Sequence, residues 1–177
     1  VLFDSYQKTN NEKKVQRILE LMQKNFPEAA LKLQLASALA RADTDRIIDL
    51  ARLDPANREL IRKVQEFKVE KKSIARAQTL NALLPGAGYL YLGQKRSALT
   101  AFLLNSLFIA GAYELFHNGH YALGAVTTSL EAGWYFGGIY GAGEAAKFYN
   151  EQLYTQKMQG IMHQKGYFPI FMLNYSF

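Results

Sequence analysis

The residues of this chain that could carry chemistry are few and far apart. His117 and His120 stand three apart in the stretch His-Asn-Gly-His, with Glu114 as the nearest acid, and His163 stands alone. A metal site needs three or four converging ligands; two histidines in a glycine-containing turn read better as surface residues. Thiolate ligands and disulfides are excluded because the chain has no cysteine. Gly86 and Gly88 invite a phosphate-loop reading, but no Gly-Lys-Ser/Thr follows them and no strand precedes them. With no Ser-His-Asp order and no paired carboxylates, the sequence reads as non-enzymatic, with no cofactor and no metal. The one acid that asks for an explanation is Glu131, which lies deep in an apolar run.

The elements that would position Glu131 occupy residues 97 to 143, a stretch free of Lys and Arg between Arg96 and Lys147. Two apolar runs of about membrane-spanning length flank the polar turn His-Asn-Gly-His, which predicts a transmembrane helical hairpin. The second run carries Gly133, Gly137 and Gly141 at four-residue spacing, and Ala98, Ala101 and Asn105 form a compatible stripe on the first; these are expected to pack together. Asn105 lies 13 residues before Asn118 and Glu131 lies 13 after it, so an antiparallel hairpin sets them at equal depth and predicts a buried polar pair.

Charge divides the chain. Residues 1 to 80 hold 16 of the 21 Lys and Arg and 11 of the 15 Asp and Glu. That half is read as helices. Thr9 to Glu12 has capping-box spacing, Pro27 suits a first helical turn, Asp43 can cap a third helix, and Asp54-Pro55 can open a fourth. The basic run from Arg58 to Arg76 is interleaved with Glu59, Glu66 and Glu70, which favours a solvated, ion-paired face over a nucleic-acid surface. Lys71, Lys72 and Arg76, with Lys95 and Arg96, directly flank apolar sequence and are candidates for contact with anionic lipid. Pro85, Gly86 and Gly88 should break the helix between them, giving a re-entrant or interfacial piece; both termini then fall on the cytoplasmic side.

The expected fold class is all-α, in three parts. Residues 1–77 form a helical bundle or degenerate helical repeat, 78–150 a broken helix and membrane hairpin, and 151–177 an amphipathic helix on the bilayer surface followed by an extended apolar tail. Val1 is either the start of a fragment or of a mature product.

The Phe26-Pro27 and Asp54-Pro55 helix starts, 28 residues apart, resemble degenerate tetratricopeptide-type repeats. Pro85-Gly86-x-Gly88-x-x-Tyr91-x-Gly93 followed by an apolar hairpin resembles bacterial two-helix membrane hairpin proteins with the signature Pro-Gly-x-Gly-Gln-x-Tyr-x-Gly; Tyr89 stands where that family usually has Gln. The resemblance implies a hairpin fold and a bacterial membrane location, with no reaction attached. The inner membrane is the expectation. Association with the outer membrane is the alternative, because the aromatic tail resembles the closing strand of an outer-membrane barrel. The functional expectation is a membrane-anchored interaction or scaffold protein whose partners are lipids and a protein. An accessory of a transport or conduit complex that uses Glu131 is the other reading.

Overall fold

The start signals at Pro27, Asp43 and Asp54 each open a helical segment. A computed structural model describes residues 12 to 164 and Gly166; the capping box at Thr9 to Glu12 and the aromatic tail fall wholly or partly outside them. Helix α1 is Glu12–Asn25, α2 Pro27–Ala40, α3 Thr44–Ala51 and α4 Arg58–Glu70. Pro27 occupies the first turn of α2, and the Asp43 carboxylate accepts the Arg46 N–H at 3.1 Å to cap α3. Asp54 accepts the Ala56 N–H at 2.9 Å, opening a 3-10 turn over Pro55–Asn57 that leads into α4. Helix α5 is Ile74–Leu83, α6 Ala87–Tyr91, α7 Lys95–His117 and α8 Tyr121–Gln164. The described residues are overwhelmingly helical, and no strand occurs among them.

The chain divides into two compact units. The first takes the residues up to Val69 and those from Tyr154 onward; the second is Glu70–Leu153. The boundary expected at residue 77 therefore lies near residue 70. The chain beyond 150 is not a third part standing by itself, because α8 runs on without interruption. Between Gly143 and Glu151 it has no proline, and Glu144-Ala145-Ala146-Lys147 are strong helix formers.

In the first unit Leu35, Leu39, Ile47, Leu60 and Val64 are completely or almost completely buried, each worth roughly 2 kcal/mol relative to exposure. Helix α8 completes that core with Met158, Ile161 and Met162, all buried. An amphipathic helix over 151–165 lying on a bilayer surface is corrected by this burial: its apolar face is already covered by protein. Tyr154 donates its hydroxyl to the Leu39 carbonyl at 2.7 Å and meets the Phe67 ring edge-on at 5.3 Å. Burial pushes the Tyr154 pKa up. Glu59 and Glu66 of the basic run are ion-paired: Arg62 lies 3.8 Å from Glu59 and 3.3 Å from Glu66, and Lys63 and Lys157 reach the Glu66 carboxylate at 3.6 and 3.4 Å. Desolvation raises the Glu66 pKa, but these cations outweigh it and hold the carboxyl below the usual carboxylate range.

In the second unit α5 ends at Leu83 and the chain turns at Leu84-Pro85-Gly86, with Gly86 at φ +93°. Gly88 lies inside α6 rather than at the break. A second positive φ at Gly93, +79°, leads into α7. Helix α7 ends at His117, and Asn118-Gly119-His120 makes the turn into α8, with the Asn118 amide donating to Glu114 at 2.7 Å. Lys95–His117 is the one helix among the described residues that is long and apolar enough to cross a membrane.

Candidate functional site

The loop between α5 and α6 is the packing centre of the second unit. Asn81, 2% exposed, accepts the Gly86 N–H at 2.9 Å with its side-chain oxygen, which pins the tight turn. A Cβ on Gly86 would collide with the backbone of Ala98. One on Gly88 would collide with the Ala77 carbonyl and come within 2.9 Å of the Ala142 and Asn81 Cβ atoms. These two glycines let α5, α7 and α8 approach the loop. Tyr91 supports the same region: its hydroxyl accepts the Ser73 N–H at 3.2 Å, and Lys72 and Arg76 lie over its ring at 5.0 and 5.2 Å. The Asn150 amide forms a two-way pair with the backbone of Lys72, accepting its N–H at 2.7 Å and donating to its carbonyl at 2.8 Å. Lys71, Lys95 and Arg96 are exposed.

The glycine stripe does not pack as expected. Gly141 meets the hydroxyl end of Tyr89, but a Cβ on Gly133 or Gly137 would find nothing within 4 Å. Ala98 is buried, though against Gly86 rather than against the stripe. The small face of α8 that is used holds Gly138, Ala142 and Gly143, which meet Asn81, Gly88 and Gln78. Four-residue spacing of glycines is compatible with close approach, yet it carries no information on which face meets a neighbour.

The unfilled space beside Gly133 and Gly137 belongs to a cleft of about 690 Å³. Ala101 and Asn105 of α7 line one side and Trp134 and Tyr135 of α8 another, with Asn81 and Tyr89 also contributing. Arg96, Ser97 and Thr100 line the end at the start of α7. Arg96 is the one charged residue in that lining. Tyr135 donates its hydroxyl to the Ala82 carbonyl, and burial pushes the Tyr89 pKa up.

Asn105 and Glu131 do not form the expected pair. Asn105, 4% exposed, donates its amide to the Ala101 carbonyl of its own helix at 2.6 Å; its side-chain oxygen, and both carboxylate oxygens of Glu131, are buried without a hydrogen-bond partner. The i−4 carbonyl lies within reach of an Asn on any helix, so the local bond wins over a partner on another helix. His117 stacks on Tyr113 at 6.0 Å, and both His117 and His120 are exposed.

Sequence reasoning missed Asn81, Trp134, Tyr135 and Asn150, and it named Tyr89 without a partner. The available signal was a polar or aromatic residue within an otherwise apolar or small-residue run, which marks a position that needs a partner but does not name one.

No family model matches the chain, and no match was found among curated proteins or solved structures.

Proposed function

We propose that this chain is a non-catalytic membrane-anchored interaction protein. Helix α7 and the first half of α8 cross a bilayer as a helical hairpin, and the first unit is held on the cytoplasmic side, where it binds a protein partner. The observation that carries this reading is exposed apolar surface along both helices. Leu99, Leu103, Leu107 and Ile109 of α7 and Leu123, Val126, Leu130, Phe136 and Tyr140 of α8 are all more than half exposed. At about 1 kcal/mol for each half-exposed side chain, lipid would recover on the order of 10 kcal/mol that water denies. Soluble proteins rarely carry an apolar surface of this extent.

Three further features agree with it. No Lys or Arg occurs from Ser97 to Ala146, and Lys71, Lys72, Lys95, Arg96 and Lys147 then gather on one side, as the positive-inside bias requires. The turn Asn118–His120 is polar and all its residues are exposed. The Pro85 to Gly93 stretch resembles the signature of bacterial two-helix hairpin proteins, which supports an inner-membrane location. The first half of α8 is less apolar than α7, since it carries Thr127, Thr128, Ser129 and Glu131 as well as its glycines.

The test is topology in inverted membrane vesicles. Single cysteines at Lys24 and Asn118 should react with an impermeant maleimide from opposite sides, and labelling of both from the same side would sink the hairpin.

A further inference from the structure

The corner where α5 turns into α6 carries three exposed leucines: Leu83, Leu84 and Leu90 are 78%, 52% and 58% exposed. Its depth along the hairpin can be counted. A Cβ on Gly138 would come within 3.3 Å of the Asn81 amide, the Tyr135 hydroxyl donates to the Ala82 carbonyl, and Gly86 lies against the backbone of Ala98. Tyr135 and Gly138 follow Gly119 by 16 and 19 residues, and Ala98 precedes Asn118 by 20. Both helices therefore set the corner about 24 to 30 Å from the turn. A bilayer core is about 30 Å thick, so with the turn at one face the corner reaches the other edge of the core and enters it by no more than about 6 Å.

Two observations suit that depth. The backbone of the corner is closed on itself: Asn81 accepts the Gly86 N–H, Tyr135 covers the Ala82 carbonyl, and the Ala87 and Leu90 N–H groups donate to the Leu84 and Gly86 carbonyls at 2.9 and 3.0 Å. Backbone that leaves water has to be satisfied in this way. Cations stand just outside it, with Lys95 and Arg96 exposed at the start of α7 and Lys72 and Arg76 over the Tyr91 ring. Leucine on the core side and cations on the headgroup side is the order of an element seated in the interface of an anionic leaflet.

The shape of the second unit adds a consequence. At the level of the corner α5, α6, α7 and α8 meet, whereas from there to Asn118 α7 and α8 continue alone. Each helix is about 10 Å across with its side chains, so the unit is broad at the cytoplasmic interface and narrow at the turn.

We propose that the α5–α6 corner inserts into the cytoplasmic leaflet as a wedge and makes the chain favour bilayer that is convex toward the cytoplasm. Such curvature spreads the headgroups of that leaflet, which makes room for the broad end and uncovers hydrocarbon for the three leucines. The proposal rests on the membrane reading of α7 and α8, and its test separates the two.

The full chain carrying Lys24→Cys would be reconstituted in giant vesicles of phosphatidylcholine and phosphatidylglycerol and labelled from outside with an impermeant dye, so that only molecules with the first unit outside are seen. Narrow tubes pulled from these vesicles are convex on their outer face. Relative to a lipid dye, the protein should be about fourfold denser in the tube than in the parent membrane, the ratio that burial of one further methylene group gives. Asn118→Cys labelled from outside marks the opposite orientation and should be depleted from the tube by a similar factor. Leu83→Gln combined with Leu90→Gln should bring both ratios close to one with helicity unchanged, while Leu53→Gln, at an exposed leucine of the first unit, should leave them alone. A nitroxide at Leu84→Cys should meet oxygen more readily than a nickel chelate, as a side chain in lipid does; the reverse would put the corner in water and overturn the proposal. Equal density in tube and parent for both orientations, or enrichment that survives the leucine variants, would overturn it too and assign the leucines to a protein partner, with the membrane reading left standing. A chain that fails to co-float with the vesicles would remove both.

Discussion

Substituting Gly88 and Gly137 separately by alanine should have opposite effects, although both are helical glycines in the same unit. A Cβ at residue 88 lies 2.9 Å from the Cβ atoms of both Ala142 and Asn81, and closer still to the Ala77 carbonyl oxygen. Carbon atoms settle at about 3.5–4.0 Å, so both carbon contacts must open by roughly 0.6 Å or more. None of these three atoms can be moved by rotating a side chain, so the cost belongs near the upper end of the overpacking range, about 3 kcal/mol. Better helix propensity returns about 1 kcal/mol. Gly88→Ala should therefore destabilise by about 2 kcal/mol net. At residue 137 nothing lies within 4 Å, so only the propensity gain remains and Gly137→Ala should be neutral or stabilising by up to about 1 kcal/mol. The assay is helix loss in mixed micelles on titration with a denaturing detergent, followed by far-ultraviolet circular dichroism. Wild-type stability for Gly88→Ala, or a loss of 1 kcal/mol or more for Gly137→Ala, would refute the packing described here.

Asn81→Ala should leave the buried Gly86 N–H without an acceptor, at a cost of about 1–3 kcal/mol in the same titration; a silent substitution would mean that the turn holds itself. Tyr154 provides a test in pH. Burial raises its folded-state pKa, so the stabilisation of the neutral phenol is fully present below the unfolded value of about 10 and is lost as pH rises toward the folded value, at about 1.4 kcal/mol per pH unit. Thermal melts of the wild type should fall on that alkaline limb. Tyr154→Phe should lose about 1 kcal/mol at neutral pH with its hydrogen bond to Leu39 and then show a shallower limb; parallel limbs would show that Tyr154 ionises freely in the fold.

What the sequence made legible was local. Asp43 and Pro27 act on backbone groups within a few residues of themselves, so their roles can be read without knowing the rest of the fold. The end of α7 at His117 and the positive φ of Gly119 follow in the same way from His-Asn-Gly-His. The partners of the glycines were not legible, because they are set by chain 10 to 60 residues away: Gly88 meets Ala77 and Ala142, and Gly138 meets Asn81. The Asn105 and Glu131 pairing failed for a related reason. Equal depth in a hairpin fixes one coordinate of two side chains and leaves their rotation about each helix axis free. The end of α8 is not legible either, because composition changes near Asn150 while the helix runs on to Gln164.

The burial of Met158, Ile161 and Met162 in the first unit sets an order of events during synthesis. The residues up to Val69 leave the ribosome with part of their core absent, and the missing side chains arrive only after the whole of Glu70–Leu153 has been made. At about 5–20 residues per second that delay is roughly 5 to 20 s, long compared with helix formation. Through that interval the Leu39 carbonyl and the Phe67 ring are without Tyr154, and Glu66 is without Lys157, so the first unit gains its last polar and aromatic contacts only once the apolar helices have been made.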